Sequence, residues 1–308
     1  MKSYVNYFII LVPGFVWGGS FILTRLILPF LPPFSLTLLR NSISLAFLLI
    51  LLTALGGRVH RDWREWLPII GLAVCNTSAF LLTAWGQLFI PGGLTTILAA
   101  TIPFFTIIIA HFVSEDDRIT STRATGIVMG LIGVVILVGT DALSDMNRGV
   151  VGQLAILTSA LLYGLAGVYA RPILARQSTT NGSTWIPRVR VMAMQTITSV
   201  TILTPVALIS DRTWTLDVPP YVWGYLVMMG VGVTAFATLT YYYLIQSFGS
   251  TLASMTMYII PISGVTLGVW VLNEVVTPAM PIAALLILGG VFVANRPKST
   301  PIPKPQLP

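Results

Sequence analysis

Leu252–Glu274 reads LASMTMYIIPISGVTLGVWVLNE, a run with no charge before its last residue, a proline near its centre and an acid at its end. Shifted back by 158 positions, Leu94–Asp116 reads LTTILAATIPFFTIIIAHFVSED, and Leu94/Leu252, Ile102/Ile260, Pro103/Pro261 and Val113/Val271 coincide. A helix of roughly 20 apolar residues is about 30 Å long, the thickness of a bilayer's hydrocarbon core. Two such segments in register, each interrupted by proline at the same place, are the internal symmetry of chains built from repeated membrane-spanning units.

The remaining composition agrees. Of the 308 residues, 55% are hydrophobic and 9% charged. Soluble domains carry roughly 25% charged residues, so this chain cannot cover a water-facing surface of ordinary size. It reads as a polytopic membrane protein, with the lipid bilayer as its first partner. The single cysteine, Cys75, excludes an intramolecular disulfide framework, and one thiol with the distant His60 and His111 makes no metal-ligand spacing. No metal or other cofactor is expected. The net charge of +7 comes from short clusters of Lys and Arg between apolar runs. That pattern signals membrane orientation rather than a nucleic-acid surface.

Ten spans are predicted, at about 6–27, 33–55, 66–89, 93–113, 122–140, 150–170, 189–210, 219–246, 250–272 and 278–295. The apolar stretch Phe8–Leu28 is taken as the first span rather than a cleaved leader. Connections are short; the longest, 171–188, holds the polar cluster Ser178–Thr184, and the proline-rich tail Pro297–Pro308 is expected to be disordered. With the N-terminus inside, thirteen of the seventeen Lys and Arg residues fall on the inner side; Arg25, Arg148 and Arg212 fall outside, and Arg40 lies within a span. Both termini are therefore expected in the cytoplasm. Five spans per half is an odd number, so tandem halves must cross the bilayer in opposite directions. The expected fold is all-α: ten transmembrane helices in two inverted five-helix repeats, residues 1–145 and 146–296, followed by a cytoplasmic tail at 297–308. Further pairs support the repeat. Trp17-Gly18 and Arg25 match Tyr163-Gly164 and Arg171 at an offset of 146, Gly133-Val134 matches Gly290-Val291, and Trp85 matches Tyr243.

Several segments carry a family likeness. The first span contains FVWGGSF, the second opens PPFSLTLLR, and the fourth, IPGGLTTILAATIPFFTIIIAHFV, is followed by EDDRIT; the fifth carries GIVMGLIGVVILVG. The second half has FGSTLASMTMYIIPISGVTLGVWVLNEVVTP and then LILGGVFVA. This chain resembles the EamA-type branch of the drug/metabolite transporter superfamily over most of residues 8–295. The resemblance implies a ten-helix carrier of the bacterial inner membrane, most often an exporter of amino acids or other small metabolites. One departure is that the acid after the fourth span stands here in a run, Glu115-Asp116-Asp117, so its match to Glu274 is not unique.

Candidate functional residues follow from what is unusual at membrane depth. Pro103 and Pro261 remove the helical partners of the Ala99 and Met257 carbonyls, which makes each site either a hinge bordering the solute path or a static kink. Arg40 falls ~10 Å into its span, where a cation needs a partner, water or the interface. It either meets a substrate carboxylate or snorkels to the outer headgroups. Trp17, Trp85, Tyr163, Tyr242, Tyr243 and Tyr258 are candidate pocket aromatics, with helix packing as the alternative for each. Asn76 and Gln195 add uncharged hydrogen-bonding groups that either line the pocket or join helices. The glycine pairs Gly14/Gly18, Gly126/Gly130 and Gly264/Gly268 have the spacing of close helix contacts.

The favoured function is a secondary transporter of small molecules working by alternating access, as a monomer or a homodimer. The alternative in the same class is drug or polyamine efflux. An intramembrane enzyme would need convergent catalytic groups that no span offers, and a channel would need a charge ring or filter loop.

Overall fold

A computed structural model of the chain describes residues 2–60, 62–113, 119–143, 147–176, 185–212, 217–244, 246 and 256–294. In chain order it contains α1 (Lys2–Ile27), α2 (Pro33–Ala54), α3 (Trp63–Gly86), α4 (Gly92–Ala99), α5 (Ile102–Val113), α6 (Ser121–Leu143) and α7 (Asn147–Arg176). There follow α8 (Trp185–Ser210), α9 (Pro220–Val227), a π-helical segment (Met228–Ala237), α10 (238–244), α11 (Thr256–Leu272) and α12 (Ala279–Ala294). No strand occurs among the described residues. Six helical stretches are long and apolar enough to cross a bilayer, and four shorter apolar helices accompany them.

Local chemistry sets the starts. Pro33 and Pro220 occupy first helical positions, where a missing N–H costs nothing. Asp62 caps α3 by accepting the Arg64 N–H at 3.0 Å. The Asp211 carboxylate, from the turn after α8, accepts the Ser35 N–H at 2.7 Å and so caps α2 across the fold. The outer surface is apolar: Phe112, Trp270, Ile209 and Leu285 are each more than 70% exposed. Polar groups turn inward instead, with Ser35, Gln87, Thr95 and Gln153 wholly buried. A bundle with that distribution needs lipid as its solvent.

Small residues bring the helices together. A Cβ at Gly126 would lie 2.3 Å from the Gly290 carbonyl oxygen, so α6 and α12 meet backbone to backbone. At Gly18 a Cβ would lie 2.6 Å from the Ile260 carbonyl and closer still to the Ser263 hydroxyl, which seats α1 on α11. Gly164, the partner of Gly18 at the 146-residue offset, seats α7 on α5, where a Cβ would fall 2.9 Å from the Thr106 nitrogen. All three spaced glycine pairs make helix contacts: Gly14 and Gly18 with α11, Gly126 with α12 and Gly130 with Phe104 of α5, Gly264 with Thr96 of α4, and Gly268 with the Glu274 side chain.

Three departures from the sequence-based expectation stand out. The span expected at 93–113 is two helices, α4 and α5, broken at Ala100–Thr101 just ahead of Pro103. Its counterpart α11 runs unbroken through Pro261. The span expected at 150–170 continues through Pro172 to Arg176, because Ile173 and Leu174 are buried in a cluster with Ile69, Leu72, Val191 and Tyr242. Packing there outweighs the proline. The span expected at 219–246 contains ten residues of π-helix, which no local residue pattern announces. The polar cluster Ser178–Thr184, the acids Glu115-Asp116-Asp117 and the tail Pro297–Pro308 lie outside the described residues.

The packing predicts that Gly18→Val overfills the α1–α11 contact and destabilises the protein by about 1–3 kcal/mol. The check is the thermal midpoint of detergent-purified protein, with Gly224→Ala as control, since nothing lies within 4 Å of a Cβ at Gly224. Gly18→Val should melt lower and Gly224→Ala should not.

Candidate functional site

The helices enclose a central cavity of about 300 Å³. Its wall comes from both halves of the chain. Trp17 of α1, Asn76 of α3, Pro103 of α5, Tyr163 of α7, Gln195 of α8 and Tyr242 at the end of the π-containing span all line it. Ala99 and Met257, the residues whose carbonyls the two prolines leave unpaired, line it as well, and so do Ile102 and Ile260. Each of these is a pair at the 158-residue offset, while Trp17 and Tyr163 pair at 146. The Ala100–Thr101 break thus sits beside a cavity rather than against lipid, where alone irregular backbone is tolerated.

Within the wall the polar groups are held in place. The Tyr242 hydroxyl lies 3.4 Å from Gln195 Oε1, Asn76 Nδ2 donates to the Leu72 carbonyl at 3.2 Å, and Thr77 donates to Ser199 at 2.7 Å. Trp17 packs edge-on against Tyr241 with ring centroids 5.0 Å apart. Arg123 and Arg171 line one end of the cavity. No Asp or Glu lines it among the described residues.

A carboxylate ties the turn after α11 to the start of α4. Gly92 and Gly93 open α4, and their N–H groups donate to Glu274 Oε1 and Oε2 at 2.7 Å each. Free N–H groups and the helix dipole make that terminus a natural carboxylate site. Glu274 reaches it from the turn after α11, where Asn273 takes a left-handed φ of 52° and the Glu274 N–H donates to the Gly268 carbonyl at 3.1 Å. Glycine is required on both sides, since a Cβ at Gly93 would lie 2.9 Å from Oε2 and one at Gly268 2.6 Å. At the same end Arg25 Nη1 donates to the Gln87 carbonyl, and Gln87 Nε2 donates to the Phe21 carbonyl at 3.0 Å. These bonds join α1 to the end of α3 and α4 to the turn after α11, and Gly92 sets the two pairs side by side in one layer, next to Ile22 and Gln87.

Arg40 does not snorkel. It is 3% exposed, its Nε donates to Thr234 Oγ1 at 3.0 Å, and its guanidinium stacks 3.9 Å from the centroid of Phe80. It stands one layer behind the cavity wall, in a smaller void of about 20 Å³ that shares Ser20, Phe21, Phe80 and Tyr163 with the main cavity. The π-helical segment makes this possible: Gly230 meets the Arg40 carbonyl, and Thr234 bonds back five residues to the Met229 carbonyl at 3.0 Å.

Three of the sequence-selected aromatics lie off the wall. Trp85 is 39% exposed on the bundle's outside, edge-on to Phe89. Tyr243 stacks on Trp185 at 5.4 Å with Arg188 beside it, one step round the helix from the wall residue Tyr242. Tyr258 packs against the apolar cluster of α4, α5, α6 and α12. Pro261 is buried but is not a lining residue, although its neighbour Ile260 is. Phe80, Thr234 and Glu274 carry contacts that the sequence did not single out. For Glu274 a signal exists in the Pro-Gly-Gly preceding one repeated run and the acid ending the other; for Phe80 and Thr234 none does.

An apolar-skinned helical bundle around a mostly apolar cavity, with a few polar and aromatic groups in its wall, defines a membrane protein with room for a small solute. The family model described as EamA-like transporter family matches residues 5–139 and 150–296, and the chain belongs to that family. An "Uncharacterized transporter YoaV" from Bacillus subtilis (strain 168) is 23% identical over 280 residues, covering 90% of this chain and 92% of its own length. An "Uncharacterized inner membrane transporter YedA" from Escherichia coli (strain K12) is 23% identical over 255 residues, covering 82% of this chain and 78% of its own. A solved crystal structure aligns with a TM-score of 0.63 at 20% identity, covering 91% of this chain and 95% of that one, and shares the fold.

Glu274→Ala should leave two α4 N–H groups without their acceptor and cost about 1–3 kcal/mol. Gly93→Ala should reproduce part of the loss, because its Cβ would crowd Oε2 at 2.9 Å. A lower thermal midpoint in both variants is the expected reading; wild-type midpoints in both would remove Glu274 from the layer.

Proposed function

We propose that this chain is a secondary transporter that exports small metabolites, amino acids first among them, across a bacterial inner membrane. Ten spans form two inverted five-helix units, residues 1–145 and 146–296, with both termini cytoplasmic. The units rock about the central cavity in alternating access, and the solute's own gradient or exchange drives export. The observation that carries this reading is the pairing of the wall: Ala99 with Met257, Ile102 with Ile260 and Trp17 with Tyr163. A site built from equivalent positions of inverted units bears the same relation to both membrane faces, so a seal at one end has a counterpart at the other. The equivalent seating of α1 on α11 by Gly18 and of α7 on α5 by Gly164 supports the same two-fold relation.

Orientation follows the basic residues. The Arg123 and Arg171 end of the cavity is cytoplasmic and the Glu274 layer is outer, so the conformation described is closed outward. The inner-membrane designation of the Escherichia coli relative supports this location. Trp17, Asn76, Tyr163, Gln195 and Tyr242 contact the solute, and Arg40 stands behind them. The break beside Pro103 is the hinge, with Pro261 its unbroken counterpart. Trp85, Tyr243 and Tyr258, off the wall, are left to helix packing. Polyamines fit less well than zwitterions, because no carboxylate among the described residues lines the cavity to receive them.

The test is counterflow of labelled amino acids into proteoliposomes. Saturable uptake is expected, and Trp17→Ala should raise the half-saturation concentration about tenfold, the equivalent of about 1.4 kcal/mol. An unchanged half-saturation in both Trp17→Ala and Tyr163→Ala would move the pocket elsewhere, and absence of saturable flux across a broad metabolite panel would contradict transport itself.

A further inference from the structure

Between the central cavity and the Glu274 layer lies the small void at Arg40. Its floor is Phe80 and Tyr163, packed edge to face with centroids 5.4 Å apart, and both residues also face the main cavity. The void is the next compartment along α1, α3 and α7 toward the outer end. At about 20 Å³ it has room for a single water and for no solute until Phe80 and Tyr163 part.

The donor and acceptor inventory of this compartment is lopsided. Ser20, Thr24 and Thr37 line it and each donates its hydroxyl proton to a backbone carbonyl, while Thr83 is engaged with Ser159 and with the Tyr163 hydroxyl. The first three remain acceptors. Arg40 is a permanent cation whose Nε is taken by Thr234 and whose Nη2, fully buried, has no partner among the described residues. No Asp or Glu among the described residues lines either compartment. The Phe80 face compensates the charge in part, but a guanidinium out of water without a counter-ion is costly. A group that brings a negative charge and two acceptor oxygens there relieves that cost.

We propose that Arg40 receives the carboxylate of the transported solute as it passes between Phe80 and Tyr163, with the hydroxyl oxygens left for an ammonium group on the same molecule. This rests on the transport reading and narrows it to carboxylate-bearing solutes, α-amino acids above all. The differential contact also supplies a reason to move: the solute binds the occluded arrangement better than the open cavity, which shifts the population toward it. Arg40 is then the residue that sets specificity for the acid.

The experiment compares acids with their amides, L-phenylalanine with L-phenylalaninamide and L-leucine with L-leucinamide, by counterflow in proteoliposomes; spermidine and a neutral sugar complete the set. The wild type should favour each acid over its amide by about 10- to 100-fold in kcat/KM, the worth of a hydrogen bond to a charged group. Arg40→Gln should erase the preference by lowering acid flux to the amide's level, while Arg40→Lys, which keeps the charge without the fork, should retain part of it. If Arg40→Gln fails to yield a monodisperse protein, Arg40→Lys and the wild-type acid-to-amide ratio decide the matter. Amides carried as well as acids, or a preference that survives Arg40→Gln, would overturn the assignment of Arg40. So would flux of spermidine or sugar alone, which leaves transport standing. No flux of any solute overturns both.

Discussion

In hydrocarbon an unpaired backbone N–H or carbonyl costs several kcal/mol, and that cost decides where this chain can be irregular. Its irregular places are few and each is accounted for. The break at Ala100–Thr101 lies between the cavity-lining residues Ala99 and Ile102, and the π-helical segment packs on α2 at Arg40. The start of α4, whose first N–H groups have no helical partner, is met by the Glu274 carboxylate. The same constraint that forces helices elsewhere thus gathers the deformable backbone around one internal space.

Charge follows a similar logic. Two described carboxylates at the proposed outer end, Asp211 and Glu274, are engaged with helix N-termini, α2 and α4. They hold elements together and leave the cavity wall without negative charge. Positive charge, in contrast, stands at the cavity's other end and behind its wall. A solute that brings an acid, as proposed, complements this distribution of charge.

Much of this was legible in the sequence. The 158-residue offset found Pro103 and Pro261, and with them Ala99 and Met257 beside the cavity; the 146-residue offset found Trp17 and Tyr163. Repeat positions are legible because both halves must solve the same packing problem, as Gly18 and Gly164 do. The misses have physical causes. Helical periodicity alone does not say which neighbour a face meets, so Trp85 and Tyr243 could not be told from Trp17 and Tyr242. Phe80 was one apolar residue among many until Arg40 was found stacked on it. The π-helix depends on contacts with α2 that local propensity does not encode, and Pro172 was outvoted by the burial of Ile173 and Leu174. Arg40 is anomalous in the sequence as a cation within a span, and the fold buries it rather than sending it to the interface.

The central claim is that one cavity is open to one side of the membrane at a time. Gly167 lines the cavity and has nothing within 4 Å of a Cβ, so Gly167→Cys in a Cys75→Ser background places a single thiol there without crowding. The direct measurement is the rate of its reaction with a membrane-impermeant maleimide in inside-out and right-side-out vesicles. The account predicts fast labelling from the cytoplasmic face and slow labelling from the outer face, with Glu274→Ala raising the outer rate. Equal rapid labelling from both faces would describe a channel, and labelling from the outer face alone would place the Glu274 layer on the wrong side of the solute's path.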